Sequence, residues 1–217
     1  MTKLIWDSRD AKHYQQGVDR GVLYVHDGTG VPWNGLISVN ESSVGGERTA
    51  FYHDGDKFAE GVNSSIFSAN LRALNYPVEF GECVGEKEIV KGFALTGQSR
   101  KVFDLCYRTK IGTVGYKLHL IYNATAMSTS RDNKTRGSSS SPLELEWRID
   151  AVPPPTFGNW APTAHFVLDS TETDPTKLTL LEAYLYGNNV NAPAMPPLTT
   201  LISIVTPSRV GSLHDQD

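Results

Sequence analysis

A mainly β fold, an antiparallel β-sandwich or open barrel with one flanking helix, is what this sequence predicts, on three observations. Short segments alternate apolar and polar side chains with a period of two, which puts one sheet face in a core and the other in water. Turn residues punctuate them at hairpin spacing, as in Ile111-Gly112-Thr113-Val114-Gly115. Helix signals coincide at a single place, Asp174 to Gly187.

In chain order, Gly17 to Gly21 breaks the first segment, and Val22 to Val25 forms a short apolar strand. From Gly30 a second strand puts Val31, Trp33, Ile37 and Val39 on one face and Asn34, Ser38 and Asn40 on the other, and ends near Glu41. Residues 42–56 carry Gly45-Gly46, Asp54-Gly55 and the acidic Glu47, Asp54 and Asp56, a composition that cannot bury itself and so projects. Connections in compact domains usually run to about 4–6 residues. This one reads either as a plain surface hairpin or as an arm held by a partner. Residues 65–73 alternate again, with Phe67, Ala69 and Leu71 opposed to Ser68, Asn70 and Arg72, and make the natural hairpin partner of Trp33 to Glu41.

Pro77 to Gly85 reads as a turn or a single helical turn, and Ile89 to Leu95 as a short strand ended by Gly97. Lys101 to Thr109 sets Phe103, Leu105 and Tyr107 against Asp104, Cys106 and Arg108. After the turn, Tyr116 to Asn123 returns with Tyr116, Leu118, Leu120 and Tyr122 on one face, so these two strands pair antiparallel. Thr129 to Pro142 is basic, serine-rich and has nothing to bury. The strictest alternation follows at Leu143 to Asp150 (LELEWRID), stopped by Pro153-Pro154-Pro155.

Ala164 to Asp169 is one more strand. In the helix over 175–186, Asp174 caps the free amides, Pro175 takes the first position and Gly187 the C-terminal cap. Leu178, Leu181, Tyr184 and Leu185 form its sheet-facing stripe, with Lys177 and Glu182 outward. Residues 1–187 read as one domain and 188–217 as a C-terminal arm. Leu201 to Val205, an apolar run in that arm, needs cover from this subunit or a neighbour, as an edge strand or a docked arm.

Composition narrows the function. At 217 residues, 39% hydrophobic and 20% charged, the chain is an ordinary globular domain with a net charge of -4. That charge opposes nucleic-acid binding, which needs a basic surface whose counterions are released. No apolar run reaches signal-peptide or membrane-span length, so a cytoplasmic origin and no membrane anchor are expected. Without a secretion signal, the Asn-x-Ser/Thr triplets at Asn40, Asn63, Asn123 and Asn133 are chance matches. Cys83 and Cys106 are too few for a disulfide framework or a paired-cysteine zinc site and read as buried thiols.

Nothing local supports catalysis, a metal or a cofactor. His13, His26, His53, His119, His165 and His214 share no paired spacing. His53-Asp54-Gly55-Asp56 is a turn rather than a calcium loop, and Gly28-Thr29-Gly30 lacks the third glycine of a dinucleotide loop. Glu144 and Glu146 share one solvated strand face, whereas glycosidase carboxylates oppose each other across a cleft. Glu79 and Glu82 would raise the Cys83 pKa, not activate the thiol. The expectation is a protein that is not an enzyme.

Taken together and in order, DRGVLY (19–24), GVPWNGLISVNES with its acidic loop (30–56), NYPVEFGECVG (75–85), KVFDLCYRT with GYKLHLIYNATA (101–126) and AHFVLDSTETDPTKLTLLEAYLYG (164–187) resemble the major tail protein of long-tailed bacteriophages. The resemblance implies the tail tube fold and a structural virion protein, assembled in the host cytoplasm. Six copies form each ring, inner hairpins join into one barrel, and rings stack into the conduit for DNA ejection. Implied partners are the chain itself, the tail terminator, and the tail tip and tape measure proteins, with DNA passing unbound. The inter-ring loop falls on Ser42, Glu47, Arg48, Tyr52, Asp54 and Asp56. The lumen would be faced by Ser38, Asn40, Ser68 and Asn70, on Trp33 to Glu41 and Ser65 to Ala73 joined by the pair Lys101 to Thr109 and Tyr116 to Asn123. A mildly acidic wall suits a conduit, since it does not hold phosphate. The alternative is a monomeric β-sandwich binding module, for instance one offering Trp6, Trp33, Trp147 or Trp160 to a carbohydrate. Trp33 and Trp147, on apolar registers, fit a core better.

Overall fold

The computed structural model describes residues 14–26, 29–44, 48–54, 56–62, 66–128, 133, 135, 142–155 and 160–206. They form a mainly β, antiparallel structure with three helices among the described residues. The strands of the main sheet are β1 (Gln15–Val25), β2 (Val31–Pro32), β3 (Leu36–Val44), β6 (Ile66–Ala73), β9 (Phe103–Ile111), β10 (Gly115–Ser128), β11 (Leu145–Ala151) and β12 (His165–Asp169). The order across the sheet is β2-β1-β9-β10-β11-β6-β3, and β12 pairs with the first half of β10 while β11 pairs with its last residues. Two hairpins stand apart as separate two-stranded sheets: β4 (Arg48–His53) with β5 (Asp56–Val62), and β7 (Lys87–Val90) with β8 (Phe93–Leu95).

The sheet curls until its two halves face each other. Leu23, Phe103, Leu105, Tyr107 and Ile121 from β1, β9 and β10 meet Ala69, Leu71, Trp147 and Ile149 from β6 and β11 in one buried core. Near the start of β3 the sheet comes close to closing: the Trp33 amide donates to the Gly21 carbonyl at 2.8 Å, and a Cβ on Gly21 would lie 3.0 Å from Leu36. The result is an open barrel. Its centre is aromatic, with Phe80 of the short helix α1 (Phe80–Cys83) edge-on to Trp147 at 5.2 Å and to Phe103 at 5.4 Å. Trp33 packs on Phe80 at 4.5 Å and donates its indole N–H to the Asn75 carbonyl at 2.9 Å, so its polar atom is satisfied although the side chain is buried.

A second core lies outside the barrel. Val22, Tyr24, Cys106, Leu118, Leu120 and Tyr122 point away from the first core and are covered by α2 (Pro175–Tyr186) and α3 (Leu198–Val205) through Leu181, Leu185, Leu198, Leu201 and Ile204. Strand β10 feeds both cores by alternation, and a bulge resets its phase. Asn123, at φ 51°, shifts the register between Ile121 and Ala124, and both of these residues stay inside. Asp104 accepts the freed Asn123 amide at 2.7 Å, and burial raises its carboxyl pKa.

The predicted pairing of the Ser65 to Ala73 segment with the preceding strand, the antiparallel pair around Ile111 to Gly115, and the caps of α2 are all present. Asp174 accepts from the amides of Thr176 and Lys177, and Gly187 takes φ 75°. Several expectations need correction. The break at Gly17 to Gly21 is a pair of bulges in a continuous β1, with Gly17 and Arg20 at positive φ. Trp33 precedes β3, which runs on to Val44, and a bulge near its start turns Ile37 outward. Ile89 to Leu95 is a hairpin turning at Lys91-Gly92, with Gly92 at φ 84°.

On α2, Leu181 and Leu185 are buried whereas Tyr184 is 41% exposed. Glu182 faces the sheet, accepting from the Tyr116 hydroxyl at 2.6 Å. Lys177 caps the end of α3 through the carbonyls of Val205 and Thr206. The run Leu201 to Val205 is helical rather than an edge strand, and Leu201 and Ile204 are covered by packing in the second core. Residues 207–217 lie outside the described residues. Cys83 and Cys106 are buried free thiols, and burial pushes both up to about 12. No helix among the described residues is long and apolar enough to cross a membrane.

Candidate functional site

Two features stand out once the cores are assigned: an uncovered polar face with its neighbouring hairpins, and a histidine–carboxylate cluster inside the barrel.

The outer face of β3, β6 and β11 follows from strict alternation. Apolar Leu71, Ala69, Trp147 and Ile149 turn inward, so the intervening residues must turn outward. Antiparallel register then lines them up in rows: Ser38–Arg72–Glu146, Asn40–Asn70–Arg148 and Ser42–Ser68–Asp150. Asn40, Ser42, Asn70, Arg72, Glu146 and Arg148 are exposed, and no described element covers them. Ser68 is buried within its row, where its hydroxyl donates to Asp150 at 2.6 Å, and Arg148 Nε approaches the same oxygen at 3.2 Å. Arg72 pairs with Glu144. Two arginines thus face three carboxylates, Glu144, Glu146 and Asp150, a mildly acidic surface. Ser38 is half-buried, and its hydroxyl has no hydrogen-bond partner among the described residues.

All four residues expected to face a lumen therefore lie on strands of this face, Asn40 and Asn70 side by side and open to water. The strands expected beside them do not. Strands β9 and β10 are separated from β6 by β11, and their outward side chains are buried under α2 and α3, so that pair cannot line an open surface.

The segment expected as a projecting loop is built of strands. Ser42 lies in β3, Arg48 and Tyr52 in β4, Asp54 at the turn with φ 52°, and Asp56 at the start of β5; Glu47 lies outside the described residues. The tip is solvated, with the His53 and Asp54 side chains 74% and 92% exposed. The other hairpin is apolar and exposed. Ile89, Val90 and Phe93 are 57%, 61% and 58% accessible, and Val78 nearby is 79%. Trp33 and Trp147 are buried, which removes two of the four tryptophans considered as a sugar platform. Trp160 is exposed, and Trp6 lies outside the described residues.

The cluster is what sequence spacing could not show. Glu41 of β3, His119 of β10 and His165 of β12 converge on the inner side of the barrel near its open edge. His119 Nδ1 lies 3.1 Å from His165 Nε2 and 3.2 Å from Glu41 Oε1, and the other Glu41 oxygen is 3.8 Å from His165 Nδ1. Thr109 Oγ1 sits 3.0 Å from His119 Nε2, and the Tyr107 hydroxyl donates to Glu41. The Tyr107 ring lies parallel to that of His119 with centroids 4.6 Å apart, and Phe67 contacts His165 at 4.4 Å. The His119 hydrogen bond above all, with that of Tyr107, holds Glu41 down at about 2 against the cost of burial. Burial pushes His165 down to about 4, although the Glu41 charge opposes this. At neutral pH the cluster therefore contains an ionised carboxylate and a neutral His165. The one available signal was that Glu41, His119 and His165 each fall on an inward register of a strand. Their proximity depends on the curl of the sheet.

No protein-family model matches the chain, and no curated protein matches it in sequence. Similar chains occur among solved structures of an extracellular contractile injection system, PVC. One is from its sheath–tube complex in the extended state, at 16% identity over 69% of this chain and 88% of that one, with a TM-score of 0.34. Another is from its sheath/tube terminator in the extended state, at 18% identity over 61% and 89%, with a TM-score of 0.32.

Proposed function

We propose that this chain is the tail tube subunit of a long-tailed bacteriophage. Six copies close a ring and the rings stack. The polar rows of β3, β6 and β11 line a channel through which DNA leaves the particle without being bound. The chain acts structurally, in the virion tail, and its neighbours at the tube ends are terminator and tip proteins. The 42–56 segment reaches the next ring.

The observation that carries this reading is the unfinished half of the sheet. Strand β3 is nine residues long and among the described residues bonds only β6, leaving an edge that invites another chain. Beside it, β4–β5 leaves the sheet as a two-stranded ribbon, a form marginal in water by itself. Sister subunits supply what both lack, and a closed ring removes the edge. The polar rows suit a wetted wall: their charges are internally paired and slightly acidic in sum, so phosphate finds no cluster of free cations.

Negative-stain images and sedimentation of the purified full chain over a wide concentration range test this. Six-fold rings or tubes are expected of the unmodified chain. A protein that stays monomeric at the highest concentration, with the β4–β5 amides already protected from exchange, would overturn the reading.

A further inference from the structure

We propose that Glu41, His119 and His165 form a binding site for one divalent transition-metal ion of the zinc class, which ties β3 to β10 and β12 across the open edge of the barrel. The inference is independent of whether the chain assembles.

The donor geometry carries it. Tetrahedral coordination with bonds of about 2.0–2.1 Å puts neighbouring donor atoms about 3.3 Å apart. His119 Nδ1 stands 3.1 Å from His165 Nε2 and 3.2 Å from Glu41 Oε1, and one ligand atom from each of the three residues lies within 4.8 Å of the others. Two imidazole nitrogens and one carboxylate oxygen favour zinc, cobalt, nickel or ferrous iron over calcium and magnesium, which take oxygen ligands.

The surroundings orient these donors as metal ligands are oriented. Thr109 Oγ1, 3.0 Å from His119 Nε2, can hold the proton on that nitrogen and leave Nδ1 its lone pair. Tyr107 fixes the carboxylate. Side-chain exposure runs from 7% at His119 through 13% at His165 to 35% at Glu41, so the inner wall is dry and the carboxylate side leaves room for a water as fourth ligand.

The placement of the atoms points the same way. His119 Nδ1 faces a carboxylate oxygen and a second imidazole nitrogen at nearly equal distances, so three ligand atoms surround one point. An ion satisfies all three donors together. It would also link β3 to β10 and β12, with which β3 shares no ladder hydrogen bonds among the described residues.

The test uses the full chain, stripped with chelator and then titrated with ZnCl2 by calorimetry and with CoCl2 by absorption. One ion per chain is expected, with visible Co2+ bands of tetrahedral intensity and a raised melting temperature that MgCl2 does not reproduce. Glu41→Gln and His165→Ala should each weaken binding more than tenfold, while the double variant His26→Ala/His53→Ala keeps full affinity. Absence of the cobalt bands in the unmodified chain overturns the site with no variant needed. So does zinc uptake that survives Glu41→Gln and His165→Ala, or that disappears with His26 and His53.

Discussion

The two outer faces of this one sheet have opposite fates. Over β9 and β10 the outward residues are Cys106, Leu118, Leu120 and Tyr122, and two helices cover them. Over β3, β6 and β11 they are Asn40, Asn70, Arg148 and Asp150, and nothing among the described residues covers them. Both halves contribute apolar residues to the same inner core. The difference teaches that helices cover one outer face of the sheet and that nothing among the described residues covers the other. The bare side is not a sticky defect, because its rows are polar and Ser68, Arg148 and Asp150 bond one another as Arg72 does Glu144; the edge of β3, the β4–β5 ribbon and the exposed apolar β7–β8 hairpin are what lack cover among the described residues.

Three substitutions test that contrast in the isolated chain. Leu120→Ala, beneath the helices, should cost about 2–5 kcal/mol, read as a lower urea midpoint with an unchanged slope. A loss under 1 kcal/mol would mean that α2 and α3 are loosely held and the contrast is weaker than drawn.

Asp19→Asn probes the rim of the covered side. Arg108 donates to both Asp19 oxygens, at 2.9 and 3.1 Å, and its guanidinium lies 4.2 Å over the Tyr116 ring. That hydrogen bond holds the Asp19 carboxyl below its usual range, with the Arg108 and Lys110 charges adding to it against burial. A depressed folded-state pKa contributes stability that is fully present above the unfolded value of about 3.9 and is lost as pH falls through the folded one. Because Asp19 keeps some solvent contact, the expected cost of the substitution at neutral pH is about 1–2 kcal/mol. The acid limb of the stability curve below about pH 4 should flatten correspondingly. An unchanged limb would assign the acid sensitivity to another group.

Asn70→Ala, on the bare side, should change subunit stability by less than about 0.5 kcal/mol. Chemical denaturation measures it. A cost comparable to that of Leu120→Ala would show that the polar rows are structural and not an open surface.

Much of the fold is legible in the residues themselves. The alternation of Phe103, Leu105 and Tyr107 against Cys106, and of Trp147 and Ile149 against Arg148 and Asp150, marks the inner face wherever strand geometry holds. Asp174, Pro175 and Gly187 mark α2 because caps act within one turn. Asn40 and Asn70 are placed by the same alternation, and their neighbourhood by antiparallel register. Less legible is anything that departs from a single period. The bulges at Arg20 and Asn123 each spend residues without advancing the ladder, and a period of two cannot report them.

By itself, then, the sequence determined which residues alternate, which faces are apolar and where the capped helix begins and ends, because those depend on contacts a few residues apart. Tertiary structure alone decided the rest. Leu198 to Val205 is helical because Leu198, Leu201 and Ile204 find the groove beside α2 and the outer face of β10, where a strand would bury fewer of them. Glu41, His119 and His165 meet because the sheet curls enough to bring β3 opposite β12, and curl is a property of the whole set of strands, set by twist and bulges. No local pattern encodes that distance.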